Sequence, residues 1–295
     1  MSTGGSIIRP QSVPSSVEAR FESYREEVDE YEYTWFSEPE EPQKSYLGSR
    51  PELLTSLYRR AAAGKISTTR HVYAASGLWD KSRCDFQSDL LSQHAPSVVE
   101  LPARAAVYFL IGLPGSGKSS ALRPLVYKHA ALDRSEIAVS DADDLRVKFP
   151  EYAGGKGSGV VQDECAELMY DRPTDGSELW TGFQGVVLES GRTAIVDVIG
   201  DPVYLPALIT RLRNQRRKVF VLQSQCAVQE CIRRAKVRAL ETGRLVPPEL
   251  IAAKEGVPEK AMDAAIATGK LTGWAVVDTN GTSATIVRHS SFAMP

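Results

Sequence analysis

The sequence predicts an α/β fold: a mostly parallel sheet flanked by helices, with a mainly helical lobe ahead of it. Three observations carry this reading. Short apolar runs alternate with stretches of helical spacing from about residue 106 onward, a Gly-rich loop follows the first run directly, and the segments before residue 100 are charged or helical in spacing. At 295 residues and 42% hydrophobic composition, the chain can bury one sizeable core and carry an appended lobe.

Taken in order, residues 1–14 are rich in Ser, Gly and Pro and are expected to form a flexible arm. Val17–Tyr31 is charged and suits a helix; the FSEPEEPQKS stretch after it, with two prolines and several acids, suits an exposed linker. Pro51–Ala63 places Leu53, Leu54, Leu57 and Tyr58 on one side before Gly64, so residues 15–100 are expected to form the mainly helical amino-terminal lobe. The remainder, 101–295, is expected to be the α/β domain. Val107–Ile111, Ile137–Ser140, Thr193–Ile199, Lys218–Gln223 and Trp274–Asp278 read as strands. Ser119–Lys128, Glu164–Tyr170, Leu179–Glu189, Leu205–Gln215, Val228–Glu241 and Pro258–Thr268 read as helices, the first with Pro124 in its interior.

The Gly-rich loop reads GLPGSGKS, from Gly112 to Ser119, between a buried strand and a helix. That context makes it a phosphate-binding loop. Gly112, Gly115 and Gly117 let backbone N–H groups of the loop, through Ser116 and on to Ser120, turn around an anion at a helix N-terminus. Lys118 can reach the β and γ phosphates of ATP, and Ser119 can supply a hydroxyl to Mg²⁺. ATP and Mg²⁺ are therefore the expected cofactors.

At the end of the second strand, VSDADDLRVKFPEY concentrates Asp141, Asp143 and Asp144. In a phosphotransferase one carboxylate must orient the attacking hydroxyl and take its proton. If the strand continues through them, positions 141 and 143 point into one cleft, and Asp144 points away or caps the helix beginning near Leu145. The plainer alternative is that Asp143 or Asp144 only caps that helix. Asp197 lies in an otherwise apolar strand, where an unpaired carboxylate is costly, so it is expected to face the site as a substrate or water-mediated metal contact. In the carboxy half, ECIRRAKVRALETGRLVPPE carries Arg233, Arg234, Arg238 and Arg244. A guanidinium can grip two oxygens of a transferring phosphoryl group. Arg244, after Gly243, suits a mobile lid.

The formal charge of −2 argues against a broadly basic nucleic-acid surface, and no nucleic-acid partner is expected. Four cysteines without CxxC pairing and four scattered histidines indicate neither a zinc site nor a disulfide framework. No run approaches the ~18 apolar residues of a membrane span, and no apolar signal core opens the chain. No membrane association is expected, and the expected location is the cytoplasm, with secretion through a polar signal left open.

The order GLPGSGKS, DADDLRVKFPEY, AIVDV, IRRAKVRALETGRLVPPE and MDAAIATGKLTGWAVVDTNG resembles the zeta-toxin family of P-loop kinases over residues 104–281. The resemblance implies that 101–295 is a P-loop kinase domain of that type. It implies Asp143 as catalytic base, Lys118 and Ser119 as the nucleotide-binding pair, and Arg234 and Arg244 as phosphate-facing arginines. It implies transfer of the ATP γ-phosphate to a nucleotide metabolite. One branch of the family phosphorylates the 3′-hydroxyl of UDP-N-acetylglucosamine; a secreted-effector branch phosphorylates the adenosine ribose 3′-hydroxyl of NAD. Asp197-Val198-Ile199 stands where the sugar-nucleotide branch has an EGT-type segment, and a helical lobe precedes the core, which makes NAD the expected acceptor. The alternatives are UDP-N-acetylglucosamine or another metabolite. An antitoxin or inhibitory chaperone is the implied protein partner. From the residues alone, another metabolite kinase and a nucleotide-dependent switch protein both remain open.

Overall fold

The structure, a computed structural model, describes residues 16–37, 68–74, 77–98, 105–170 and 182–290. The arm, the helix expected over Pro51–Ala63, and the linker beyond Ser37 lie outside these residues.

Among the described residues, three helices precede the sheet: α1 (Val17–Ser37), α2 (Thr69–Tyr73) and α3 (Lys81–His94). Strand β1 (Ala106–Ile111) leads into the Gly-rich loop, and a π-helical turn, Lys118–Leu122, passes into α4 (Arg123–Ala130). The expected continuous helix over Ser119–Lys128 is thus split. Pro124 lacks an N–H to donate backwards, and it is accommodated because the α-helical geometry begins only at Arg123. There follow β2 (Ile137–Asp141), α5 (Ala142–Arg146), a 3₁₀ segment (Pro150–Ser158), α6 (Gln162–Tyr170), α7 (Phe183–Glu189) and β3 (Thr193–Val198). The rest comprises α8 (Tyr204–Asn214), β4 (Lys218–Gln225), α9 (Val228–Thr242), α10 (Pro248–Ala252), α11 (Val257–Ala267), β5 (Gly273–Asp278) and β6 (Thr285–His289).

The sheet runs β2-β3-β1-β4-β5-β6, parallel throughout except for β6, which pairs antiparallel with β5. Central β1 is buried at every position, as its unbroken apolar run requires of a strand covered on both faces. Val107, Phe109 and Ile111 belong to one core layer with residues of α7, α8 and α11, while Tyr108 and Leu110 belong to the other with Leu122 and Val126. Several elements escaped the sequence reading, β6 and α3 among them. Edge strand β6 is almost wholly exposed and so lacks the apolar alternation of a half-buried strand, and α3 is polar along most of its length. Among the described residues no helix is long and apolar enough to cross a membrane.

Parallel pairing decides where the site lies. The register sets Asp141 opposite Asp197 and Ile111 opposite Val198, so the ends of β2 and β3 and the start of the Gly-rich loop share one edge of the sheet.

What fixes α2 and α3 to this core is a buried ionic cluster. Arg83, 1% exposed, donates from Nε and Nη2 to Glu164 at 2.6 and 2.8 Å, and from Nη1 and Nη2 to Glu151 at 2.9 and 3.1 Å. Tyr73 Oη donates to Glu151 at 3.1 Å, and Gln87 Nε2 to Glu164 at 2.8 Å. Forks of this kind are strong because each N–H···O bond is charge-assisted and the planar guanidinium presents its donors in a fixed geometry. Removing the cation would strand two buried anions. Arg83→Met is expected to lower unfolding stability by about 3–5 kcal/mol, as measured by urea denaturation, with the double variant carrying Glu164→Gln recovering part of the loss.

Candidate active site

At the mouth of the sheet, Gly115 takes φ +81°, and a Cβ there would run into the carbonyl of Cys231 on α9. Gly112 is bounded as closely by the Ser224 hydroxyl. Glycine at both positions is therefore a steric requirement of packing the loop against its neighbours. Neutral hydrogen bonds hold the loop in shape: Ser116 Oγ lies 2.5 Å from Ser224 Oγ, and Thr279 Oγ1 donates to the Ser116 carbonyl at 2.7 Å. Lys118 Nζ donates to the carbonyls of Gly112 and Leu113 at 2.8 and 3.0 Å, which folds the side chain back over the loop. Ser119 donates to Asp197 Oδ2 at 3.4 Å, and Ser120 beside it is exposed.

Asp197, expected to face the site, does so among the groups of the loop: its carboxylate is 3.7 Å from Lys118 Nζ and also receives Arg123 at 3.3 Å. Burial pushes its pKa above the usual carboxylate range and Asp141 adds to this, against the pull of Lys118 and Arg123. Arg123, on the first turn of α4, also donates to Asp141 and lies 4.0 Å from Asp144. Burial works against its charge, but the three carboxylates raise its pKa. The sequence reading passed over Arg123; its signal was a lone cation five residues after Lys118, on the helix that any phosphate loop must precede.

The strand does not continue through the acidic group. It ends at Asp141, whose Oδ1 accepts from the Asp143 amide at 2.9 Å, so the capping role considered for Asp143 or Asp144 falls to Asp141. The turn into α5 then sends Asp143 elsewhere. Its carboxylate takes Arg146 Nη1 at 2.9 Å on Oδ1 and the Arg244 guanidinium on Oδ2, with Arg238 Nη1 3.8 Å from Oδ2. Asp144 is the more exposed acid, and burial with the nearby Asp141 raises its pKa.

Burial pushes Arg244 down to about 10, against the attraction of Asp143, so its guanidinium stays charged at neutral pH. Nε of Arg244 and both Nε and Nη2 of Arg238 are buried without a hydrogen-bond partner. Arg234 stands apart from Asp143. Its Nε binds Glu230 at 2.7 Å and its Nη2 the Thr279 carbonyl at 2.6 Å, beside Gly117. The helix places Arg238 one turn further along, where it does meet the acid. Arg146, three residues after Asp143, was not singled out from the sequence.

Oxygen donors at Ser119 and Asp197, side by side under Lys118, suit a hard cation such as Mg²⁺. The whole arrangement joins an anion cradle, an acid and several cations at one sheet edge. That suits phosphoryl transfer.

A model of the Zeta toxin family matches residues 89–288, more than half of the chain, and the chain belongs to that family. No curated protein matches the sequence. Among solved structures, that of AvrRxo1-ORF1:-ORF2 with ATP aligns with TM-score 0.56 at 17% identity, covering 78% of this chain and 78% of that one. The native AvrRxo1-ORF1:-ORF2 complex aligns with TM-score 0.53 at 17% identity, covering 76% of each chain. At these identities the likeness is one of fold.

Lys118→Ala removes the one cation that the loop itself carries toward the phosphates. Turnover at saturating ATP is expected to fall by at least about 10²-fold. Ser119→Ala should depress metal-dependent turnover while leaving the melting temperature nearly unchanged, and parallel titrations of Mg²⁺ and thermal scans check both.

Proposed function

We propose that this zeta-toxin family member, an ATP-dependent phosphotransferase, transfers the γ-phosphate of ATP to a hydroxyl of a nucleotide metabolite, with Asp143 as the base. The observation that carries this reading is the Asp143 carboxylate at the sheet edge, contacted by Arg146, Arg238 and Arg244, with N–H groups of Arg238 and Arg244 buried and unpaired. One acid cannot use so much cationic capacity. A phosphoryl group can, through charge-assisted bonds to several oxygens.

In the proposed reaction the loop amides and Lys118 hold the β and γ phosphates, and Asp143 accepts the proton of the acceptor hydroxyl as its oxygen attacks phosphorus. Arg238 and Arg244 neutralise charge on the transferring group; Arg146 keeps the carboxylate aimed. Ser119 and Asp197 would hold Mg²⁺, which when bound neutralises phosphate oxygens. Arg234, bound to Glu230 and the 279–281 backbone, is better suited to shaping the nucleotide pocket beside Gly117 than to touching the transferring phosphate.

For the acceptor, family membership favours the 3′-hydroxyl of UDP-N-acetylglucosamine over the NAD ribose hydroxyl expected from the sequence. The departure at Asp197-Val198-Ile199 lends NAD little support, because Asp197 bonds to Lys118, Ser119 and Arg123 of the nucleotide side. An inhibitory protein partner is part of the same proposal, by analogy with the two-component complexes formed by the structural neighbours.

Asp143→Asn keeps the shape and removes the base. Transfer is expected to fall by about 10²–10⁴-fold with ATP affinity little changed. Full activity in this variant would sink the assignment. Incubating the protein with ATP and an equimolar mixture of UDP-N-acetylglucosamine and NAD, followed by mass analysis, should place the added phosphate on the former; phosphate on NAD alone would reverse that choice and leave the kinase chemistry intact.

A further inference from the structure

Helix α1 lies outside the family-matched residues 89–288, yet it docks on the arginine-bearing turn of the site. The stripe it buries is narrow. Phe21 and Val28, seven residues apart, are each 1% exposed, with Tyr24 between them on the same face. Around that stripe the contacts follow α9 and the elements beside it: Lys236 Nζ sits 5.2 Å from the centre of the Phe21 ring, Arg25 is 3.7 Å from Glu249 on α10, and Glu27 pairs with Lys156 of the 3₁₀ segment.

The Tyr24 hydroxyl makes the contact that matters for chemistry. It donates to the carbonyl of Gly243, the residue that ends α9 in the left-handed region at φ +73° and immediately precedes Arg244. Carbonyls at a helix C-terminus lack intrahelical donors and need one from elsewhere. Here the donor comes from 219 residues away in sequence. Two further contacts fix the same turn from the acid side: the backbone of Gly155 packs against Gly243 and Arg244 so closely that a Cβ would collide, and Ser158 Oγ donates to the Leu245 carbonyl at 3.2 Å.

We infer that Tyr24 is a positioning residue for phosphoryl transfer, holding the Gly243 turn so that the Arg244 guanidinium stays over the Asp143 carboxylate. The inference rests on the role given to Arg244 above. Burial, then Glu27 and Tyr152, push the Tyr24 phenol up to about 12, so it remains a donor across the working pH range. The two ends of the turn are thereby tied to different parts of the chain. Ser158 and Gly155 belong to the segment that follows the acid, whereas Tyr24 reaches in from the amino-terminal helix and reports whether α1 is docked.

Tyr24→Phe in the full chain deletes the donor and keeps the ring. With the acceptor that takes phosphate in the mass assay, kcat is expected to fall about three- to tenfold, the effect of losing one such hydrogen bond from the arrangement that reacts. KM for ATP should stay within about twofold. In an Arg244→Lys background the same change should add almost nothing, since both act through one group. Independent, multiplying losses would overturn the inference, as would an unchanged rate in Tyr24→Phe while Arg244→Lys is impaired. An unchanged rate in Arg244→Lys would remove the phosphate role of Arg244 and this inference with it. Hydrogen exchange gives an acceptor-free reading: amides 243–246 should exchange faster in Tyr24→Phe with those of 112–119 unaltered, and identical protection at 243–246 in both proteins would also overturn it.

Discussion

Two carboxylates forced side by side by strand register are the constraint on which the site depends. Because β2 and β3 pair in parallel with Asp141 opposite Asp197, both acids end at the same sheet edge, next to a loop shaped for anions. Left alone, that edge would repel phosphate. Arg123 resolves the conflict by binding both acids, and Lys118 approaches Asp197 from the loop. Arg123 can do this only because α4 starts where it does, after a π-helical turn that absorbs Pro124. A helix property of the sequence thus decides whether the nucleotide side of the cleft is attractive or repulsive to its ligand.

The acid at Asp143 obeys a different balance. Ending the strand at Asp141 spends that side chain on capping α5 and frees its neighbour two residues on to face the arginines. Around Asp143, Arg146, Arg238 and Arg244 leave a surplus of positive charge and buried N–H groups without acceptors. Unsatisfied buried donors are costly in a resting protein, and they are tolerated where a ligand will satisfy them.

Much of this was legible in the residues. The loop and the five parallel strands follow from glycine spacing and apolar runs, and the carboxylates clustered at 141–144 mark where acids gather at the sheet edge; each of these is a local signal. The misses around the site come from tertiary placement. That Asp141 rather than Asp143 or Asp144 caps α5 depends on where a strand stops, and which arginine of α9 approaches Asp143 depends on the rotation of that helix; neither is encoded in residue type. Arg83 reads as a surface cation in a polar helix and is almost wholly buried, because its partners Glu151 and Glu164 lie more than sixty residues away. Arg123 carried a local signal in its place on the helix after the loop, but its pairing with Asp197, 74 residues on, did not show. Long-range charge pairs leave no trace in a local pattern.

The two sides of the cleft are consequently held by different physics. Short neutral hydrogen bonds from Ser116, Ser224 and Thr279 set the phosphate loop in a buried environment that no substrate needs to disturb. The arginine side is held by charge pairs across a glycine turn, and those pairs involve the same atoms to which the proposed reaction gives a role. While Arg244 and Arg146 both hold Asp143, each of its two oxygens is occupied by a donor. In the proposed reaction, a phosphate placed between them would give the arginines a second anion to hold and free one carboxylate oxygen to face the hydroxyl. Arginine desolvation, already met in folding, then serves the transition state rather than opposing binding.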